Sequence, residues 1–313
     1  MIGYAYDDRW GSMTVKDFFR RRIIRLQPMV IMGMIVGAAF FYFQDSPMWP
    51  GISEVPVWKM LLIMVIGFTV LPVPVSMDIR GWTEMHPLNG PAWSLFFEYI
   101  ANVLYALFLR KISNILLTVL TLIAGAALVH MAVTSPSGDI IGGWAIDPVQ
   151  LRIGFSRLLY PFLAGLLMSR VVKIAHIKNA FLWCSLMLMG VLAMPRIGGA
   201  ENLWMNGLYD SLIIMFAFPV IIYLGAGGRA ESAGVAKVTK FFGDISYPLY
   251  ITHYPLVYTY AAWVSRNKVP MEKGLPVGIA VIAASIILAY ACLKLYDEPA
   301  RKWLGRKFLS PKI

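Results

Sequence analysis

Long apolar runs separated by short polar stretches dominate the hydrophobic pattern of this chain. Nine runs follow one another, each close to the ~20 residues that an α-helix needs to cross a bilayer. Their approximate bounds are 26–44, 57–75, 91–109, 112–133, 153–172, 179–195, 207–225, 244–264 and 275–296. The pattern predicts an all-α, polytopic integral membrane protein. It has a residual helix end and basic cytoplasmic arm at 1–25, a multi-helix membrane domain at 26–296 and a basic cytoplasmic tail at 297–313.

The composition agrees with a lipid environment. Hydrophobic residues make up 58% of the 313 residues and charged residues 14%, and the mean hydropathy is +0.66. Soluble domains are about 45–50% apolar and about 25% charged. The net charge of +11 comes from clusters of Lys and Arg between the apolar runs and at both ends. Such clusters orient membrane helices, so no nucleic-acid partner is predicted.

Two cysteines, Cys184 and Cys292, lie in apolar runs without Cys or His at metal-ligand spacing. We therefore predict neither a disulfide framework nor a metal site.

Positive charge also predicts the orientation of the runs. The arm and the tail are both rich in Lys and Arg, which places both termini in the cytoplasm. The segment 134–152 has no Lys or Arg before Arg152 and is predicted to lie outside, whereas 265–274 is assigned outside despite its three cations. Two cytoplasmic ends require an even number of crossings, so eight of the nine runs should cross. The exception should be 57–75, because its Leu-Pro-Val-Pro-Val end cannot remain helical.

A polar stripe with an acid in it marks the run from Asn89 to Tyr105. Asn89 or Gly90 followed by Pro91 is typical of a helix start. At ~100° per residue, four side chains then fall within a roughly 80° arc of one helix face. They are Ser94, Glu98, Asn102 and Tyr105.

Glu98 needs a compensating environment, because an ionisable group in the bilayer interior costs roughly 2.5–3.5 kcal/mol. Two explanations fit: Glu98 snorkels or caps a neighbouring helix, or it lines a polar cavity as a reactive acid. Its position on a stripe favours the cavity.

His253 lies on a second polar face with Ser246 and Tyr250, within a roughly 60° arc. Pro255 removes the hydrogen bond to the Ile251 carbonyl and so leaves an acceptor without its helical donor. A neutral histidine here is suited to activating a hydroxyl, although a core histidine bonded to a tyrosine is the alternative.

The basic arm contains Arg22 and Arg25 three positions apart, just before Pro28. Two guanidinium groups on one face suit a phosphate or pyrophosphate. Attraction to anionic lipids is the alternative, and spacing alone favours it.

Four segments combine these residues in a recognisable order: RRIIRLQP at 21–28, WSLFFE at 93–98, GDISYPLYITH at 243–253 and EPAR at 298–301. Together they resemble integral-membrane acyltransferase family 3, whose members O-acylate sugars of cell-surface polysaccharides and related glycans. The resemblance covers nearly the whole chain.

The resemblance implies transfer of an acyl group, most simply acetyl, from cytoplasmic acyl-CoA to a hydroxyl of a glycan or glycolipid, with no tightly bound cofactor. Under it, Arg22 and Arg25 hold the CoA phosphates, and Glu98 and His253 are catalytic. Ser94, Asn102, Ser246 and Tyr250 line the substrate cavity. The cell membrane, as a bacterial inner membrane, is the expected location.

The start of the chain departs from the family pattern. The family begins with two further helices, the first of which carries a basic residue and a histidine regarded as central to catalysis. Met1–Tyr6 corresponds to the end of the second. We expect either that the start has been placed too late or that the chain is a truncated and inactive copy. A third explanation is that His253 replaces the histidine of the family's first helix.

Two other classes of function remain open on the sequence. A transporter or flippase of a glycan or lipid-linked substrate would also place Glu98, His253 and Asp210 inside the membrane. A binding or assembly role without chemistry is the other. The absence of inverted repeats and the ordered motifs argue against transport.

Overall fold

The computed structural model describes residues 2–228 and 233–309, so Met1, Arg229 and Lys312, which entered the predictions on the start and the charged loops, lie outside the described residues. In the described part, α-helices form the architecture and β structure is limited to isolated bridges. This confirms the all-α prediction. The helices are α1 Ile2–Tyr6, α2 Val15–Phe40, α3 Val57–Gly67, α4 Ala92–Leu107, α5 Asn114–Val133, α6 Pro148–Val171, α7 Ala180–Leu192, α8 Trp204–Leu212, α9 Phe218–Gly227, α10 Ala233–Thr252, α11 Tyr254–Asn267, α12 Met271–Cys292 and α13 Glu298–Phe308.

Six helical stretches among the described residues are long and apolar enough to cross a membrane. They are Val15–Gln44, Ala92–Lys111, Asn114–Val133, Pro148–Val171, Trp204–Gly227 and Met271–Phe308. Two of them join consecutive helices through a π-helical turn, at Ile213–Ala217 and at Leu293–Asp297. The protein is therefore a multi-pass membrane protein.

The remaining three predicted runs are shorter or interrupted. Helix α3 ends at Gly67, and the chain then leaves the helical conformation through Pro72 and Pro74. Helix α7 is also short. The run predicted at 244–264 is divided at His253 between α10 and α11. The predicted arm, in contrast, is continuous with the first long run, because a capping box of Thr14 and Asp17 starts α2 at Val15.

The chain divides into two compact units. The first comprises Met1–Met13, Phe97–Gly143 and Val149–Lys237, and the second comprises Thr14–Phe96, Trp144–Pro148 and Val238–Ile313.

In the first unit, α5 packs closely against α8. Gly207 permits the contact, since a Cβ atom there would lie 2.0 Å from the carbonyl oxygen of Ala132. The neighbouring Asn206 uses its side-chain amide to bond both the N–H and the C=O of Ile197 at 2.8 Å. Asn206 therefore holds the loop before α8, which is a structural role.

In the second unit, α2 packs against α3, α11 and α13. Gly33 and Gly37 on α2 form a Gly-x-x-x-Gly pair, the spacing that lets backbones approach closely in membrane proteins. A Cβ at Gly37 would lie 2.3 Å from the Leu88 carbonyl oxygen, and one at Gly33 would lie 2.7 Å from that of Ile251. The two glycines thus allow the loop before α4 and the end of α10 to pack closely against α2.

Candidate functional site

The break between α10 and α11 is the most distinctive local feature of the second unit. Pro255 cannot donate a hydrogen bond to the Ile251 carbonyl, and the side-chain amide of Asn89 donates one instead, at 2.7 Å. The predicted freed acceptor is thus confirmed. Asn89 does not cap α4 as expected: α4 begins at Ala92, and Asn89 Oδ1, the atom that would accept a capping bond, has no hydrogen-bond partner among the described residues.

His253 occupies the break with a defined ring orientation. Its Nδ1 lies 2.9 Å from the Leu249 carbonyl oxygen and 3.1 Å from that of Tyr250. Carbonyl oxygens only accept, so Nδ1 carries the proton and Nε2 of the neutral ring keeps its lone pair. The half-buried ring also makes an edge contact with Tyr254 at 5.3 Å between centroids. Such a histidine can accept a proton from a hydroxyl.

Two hydroxyls that were predicted to line the cavity, those of Ser94 and Tyr250, meet at the first turn of α4. Ser94 Oγ and Tyr250 Oη lie 2.6 Å apart, and the Pro91 carbonyl oxygen lies 3.1 Å from the serine and 3.0 Å from the tyrosine oxygen. This joins the Trp-Ser-Leu motif to the helix turn before His253. The exposed Ser246 instead donates to the Gly243 carbonyl of its own helix, at 2.9 Å.

A buried ionic cluster supports the same region from the loop before α4. The Arg80 side chain is fully buried, and its Nε donates to the Pro87 carbonyl at 2.9 Å and lies 3.3 Å from Glu84 Oε2. Tyr258 donates to Glu84 Oε1 at 2.7 Å, and its ring centre lies 4.1 Å from the guanidinium carbon. Gly90 contacts this cluster directly, since a Cβ there would lie 2.4 Å from the Tyr258 hydroxyl oxygen.

Burial controls protonation in this loop, which lies outside the long apolar helices. It raises the pKa of Glu84 to about 7, although the nearby Arg80 cation opposes the shift. It lowers the pKa of His86 to about 4, so His86 is neutral at pH 7. The His86 Nε2–H donates to the Val70 carbonyl at 3.0 Å and fixes a valine held at φ +63°.

The three other stripe residues on α4, Glu98, Asn102 and Tyr105, fall in the first unit. Glu98 is half-buried, and Asn102 is 3% exposed with its side-chain nitrogen lacking a hydrogen-bond partner within 2–228 and 233–309. Farther along, the Tyr105 hydroxyl donates to Asp7 and accepts from Trp10 Nε1 at 3.1 Å. The stripe therefore faces protein, while Val103 and Leu107 on the other side of α4 are exposed.

The predicted CoA-binding arginines both belong to the first turns of α2. Arg22 is half-buried and Arg25 is exposed. Arg25 lies near the α13 start, where Asp297 and Arg301 form an ion pair at 2.7 Å.

Three features were not predicted from the sequence: the hydrogen bond from Asn89 to the end of α10, the close packing at Gly33 and Gly37, and the buried Arg80 cluster. A Gly-x-x-x-Gly search of the apolar runs would have found the glycines. Arg80 and Glu84 are four residues apart in a predicted loop, where spacing does not indicate pairing.

The fold and the break between α10 and α11 together define a multi-pass α-helical membrane protein with a histidine and hydroxyls inside its helical part. Residues 2–294 match the model of a family described as "Acyltransferase domain". The chain therefore belongs to this family, integral-membrane acyltransferase family 3, and the resemblance carried by the four motifs is confirmed.

A curated relative is "Protein 2 in picA locus" of Rhizobium radiobacter, which is 28% identical over 115 residues. The alignment covers 34% of this chain and 58% of the relative, so the chain spans little more than half the length of that protein. No solved structure matches the chain significantly.

Proposed function

We propose that this protein is a membrane O-acyltransferase that moves an acyl group, in the simplest case acetyl, from acyl-CoA to a hydroxyl of a cell-surface glycan or glycolipid. Family membership supports the transferase class. The observation that carries the proposal is the arrangement at the α10–α11 break. There the tethered Nδ1 of His253 leaves Nε2 as a proton acceptor, one turn from the Tyr250 and Ser94 hydroxyls.

In the proposed reaction, the acceptor hydroxyl attacks the thioester carbonyl of acyl-CoA. A C–O bond forms, the C–S bond breaks, and the hydroxyl proton passes to His253 Nε2 and then to the departing CoA sulfur. Glu98 is the second catalytic residue in this proposal, and Arg22 and Arg25 bind the CoA phosphates from the cytoplasmic side. Asn102 and Ser246 contact the acceptor or the acyl group.

Incorporation of label from [acetyl-¹⁴C]acetyl-CoA into surface glycan by isolated membranes tests the proposal. Glu98→Gln and Arg25→Ala should abolish incorporation, because one removes the carboxylate and the other a phosphate contact. The exposed residues Glu54 and Arg306 offer matched controls, Glu54→Gln and Arg306→Ala, which should retain it. Normal incorporation in the first two variants, at equal protein level, would contradict the proposal.

A further inference from the structure

An open groove lies between α2 and α13 in the second unit, and we call it the α2–α13 groove. Its volume is about 510 Å³, within the ~300–1,000 Å³ typical of small-molecule sites. Its walls are almost wholly apolar: Ile24 and Ile31 lie on α2, and Ala300, Trp303, Leu304 and Phe308 lie on α13. Such walls suit a hydrocarbon chain.

Cations stand beside this apolar surface. Arg20 is itself a lining residue. Lys307 Nζ lies 4.9 Å from the ring centre of Trp303 and 5.4 Å from that of Phe308, and both rings line the groove. The lining residues in the described part of the chain include no carboxylate. The groove therefore offers an apolar channel with positive charge beside it, which matches an anionic amphiphile.

The α2–α13 groove is separate from the predicted CoA contacts. At ~100° per residue, the side chains of α2 that line it centre roughly 130° from Arg25 and 170° from Arg22 on the helix circumference. A ligand in the groove thus contacts a different face of α2. Two cations beside a single channel also suit one phosphate better than the several phosphates of CoA.

Orientation argues for a membrane lipid. The charge pattern puts the start of α2 and the end of α13 on the cytoplasmic side, where anionic lipids concentrate and attract basic segments. Trp303 is a residue type that prefers the level of the headgroups. We propose that the α2–α13 groove binds one anionic phospholipid, with an acyl chain along its apolar walls and the phosphate at Arg20 and Lys307.

Native mass spectrometry of the detergent-solubilised full chain tests this proposal. The chain is titrated separately with dioleoyl phosphatidylglycerol, dioleoyl phosphatidylcholine and oleoyl-CoA. For the wild type we expect one saturable phosphatidylglycerol adduct, at a concentration about tenfold below that needed for phosphatidylcholine. Ala300→Trp should remove the adduct by filling the groove. Leu295→Trp places the same ring at an exposed position outside it and should keep the adduct.

A second set of variants removes the two cations and leaves the apolar side chains of the groove in place. Arg20→Gln/Lys307→Gln should bind the two phospholipids equally, whereas the control Lys16→Gln/Lys302→Gln should keep the preference for phosphatidylglycerol. Equal binding of the two lipids by the wild type would overturn the proposal, as would an undiminished adduct in a folded Ala300→Trp protein. Displacement of phosphatidylglycerol by equimolar oleoyl-CoA would assign the groove to acyl-CoA instead. These readings do not depend on transferase activity.

Discussion

Glu84 illustrates, at the scale of single residues, how burial and charge compete in this protein. Its carboxylate accepts from Tyr258 and lies beside Arg80, yet burial dominates and raises its pKa to about 7. Arg80 is stabilised by three aromatic rings and by the Pro87 carbonyl. Protonation of Glu84 near neutral pH would therefore change the charge of the loop that precedes α4.

The raised pKa of Glu84 predicts a pH-dependent effect of Glu84→Gln. Folded Glu84 retains a proton between pH 4.5 and about 7 that the unfolded chain releases. As the pH rises from 4.5 to about 7, the free energy of unfolding of the wild type should thus fall relative to that of the variant, by about 1.4 kcal/mol per pH unit. The lowered pKa of His86 makes stability rise with pH between pH 4 and 6.5. This effect is the same in both proteins, so the difference between their stabilities reports Glu84 alone.

Thermal unfolding in detergent between pH 5 and 8 measures this difference. The melting temperature of Glu84→Gln minus that of the wild type should increase from pH 5 to about 7 and then level off. A difference that stays constant with pH would contradict the account, and Glu54→Gln, which alters an exposed acid, is the control.

The Ser94–Tyr250 contact predicts coupling between two motifs. Each of Ser94→Ala and Tyr250→Phe should lower the free energy of unfolding by about 0.5–1.5 kcal/mol, and the double variant should cost less than their sum. Denaturant unfolding of the four proteins measures the coupling, with Tyr290→Phe as an exposed tyrosine control. Strict additivity would show that the two hydroxyls do not bond.

Residue-level chemistry was only partly predictable from sequence. The freed Ile251 carbonyl follows from Pro255 alone, because proline lacks its N–H. The identity of its new donor, Asn89, does not follow, because the two residues are 162 positions apart and only the fold joins them. The proposed catalytic roles of Glu98 and His253 remain predictions.

Among the helices, α2 depends on its glycines for close packing. In an open helical position, replacing Gly with Ala favours the helix by up to about 1 kcal/mol. At Gly37, a Cβ would lie 2.3 Å from the Leu88 backbone, which cannot move as a flexible side chain does.

Gly37→Ala should therefore destabilise the protein by about 1–3 kcal/mol. Gly190→Ala is the control, since its Cβ would meet nothing within 4 Å, and it should be neutral or stabilising. Thermal unfolding compares the two. A Gly37→Ala protein as stable as Gly190→Ala would contradict the close approach of α2 to the loop before α4.

Apolar runs predicted most elements within a few residues, because length and hydropathy decide them. The run 244–264 was predicted as one helix but is divided at His253, since Pro255 interrupts the hydrogen bonding and Asn89 stabilises the interruption. Helix α3 stops at Gly67, because the prolines that follow exclude a helix. Composition alone could not show whether the backbone groups freed at such breaks find other hydrogen-bond partners.

For the whole molecule, hydropathy and four ordered motifs were enough to predict a multi-pass helical protein and its family. Both are confirmed. The orientation of the termini remains a prediction from charge. Contacts such as Arg80 with Tyr258 could not be predicted, because they depend on how distant helices pack rather than on local sequence.

We propose that the protein transfers acyl groups with His253 as the proton acceptor. The most direct measurement uses purified protein in proteoliposomes with [acetyl-¹⁴C]acetyl-CoA and a surface-glycan extract, and follows labelled glycan and free CoA thiol together. We expect one thiol to be released per acetyl group transferred. We also expect at least a ~100-fold loss of rate in His253→Gln, with no loss in the exposed-site control His176→Gln. Movement of unmodified glycan without thiol release, or a His253→Gln protein as active as the wild type, would contradict it.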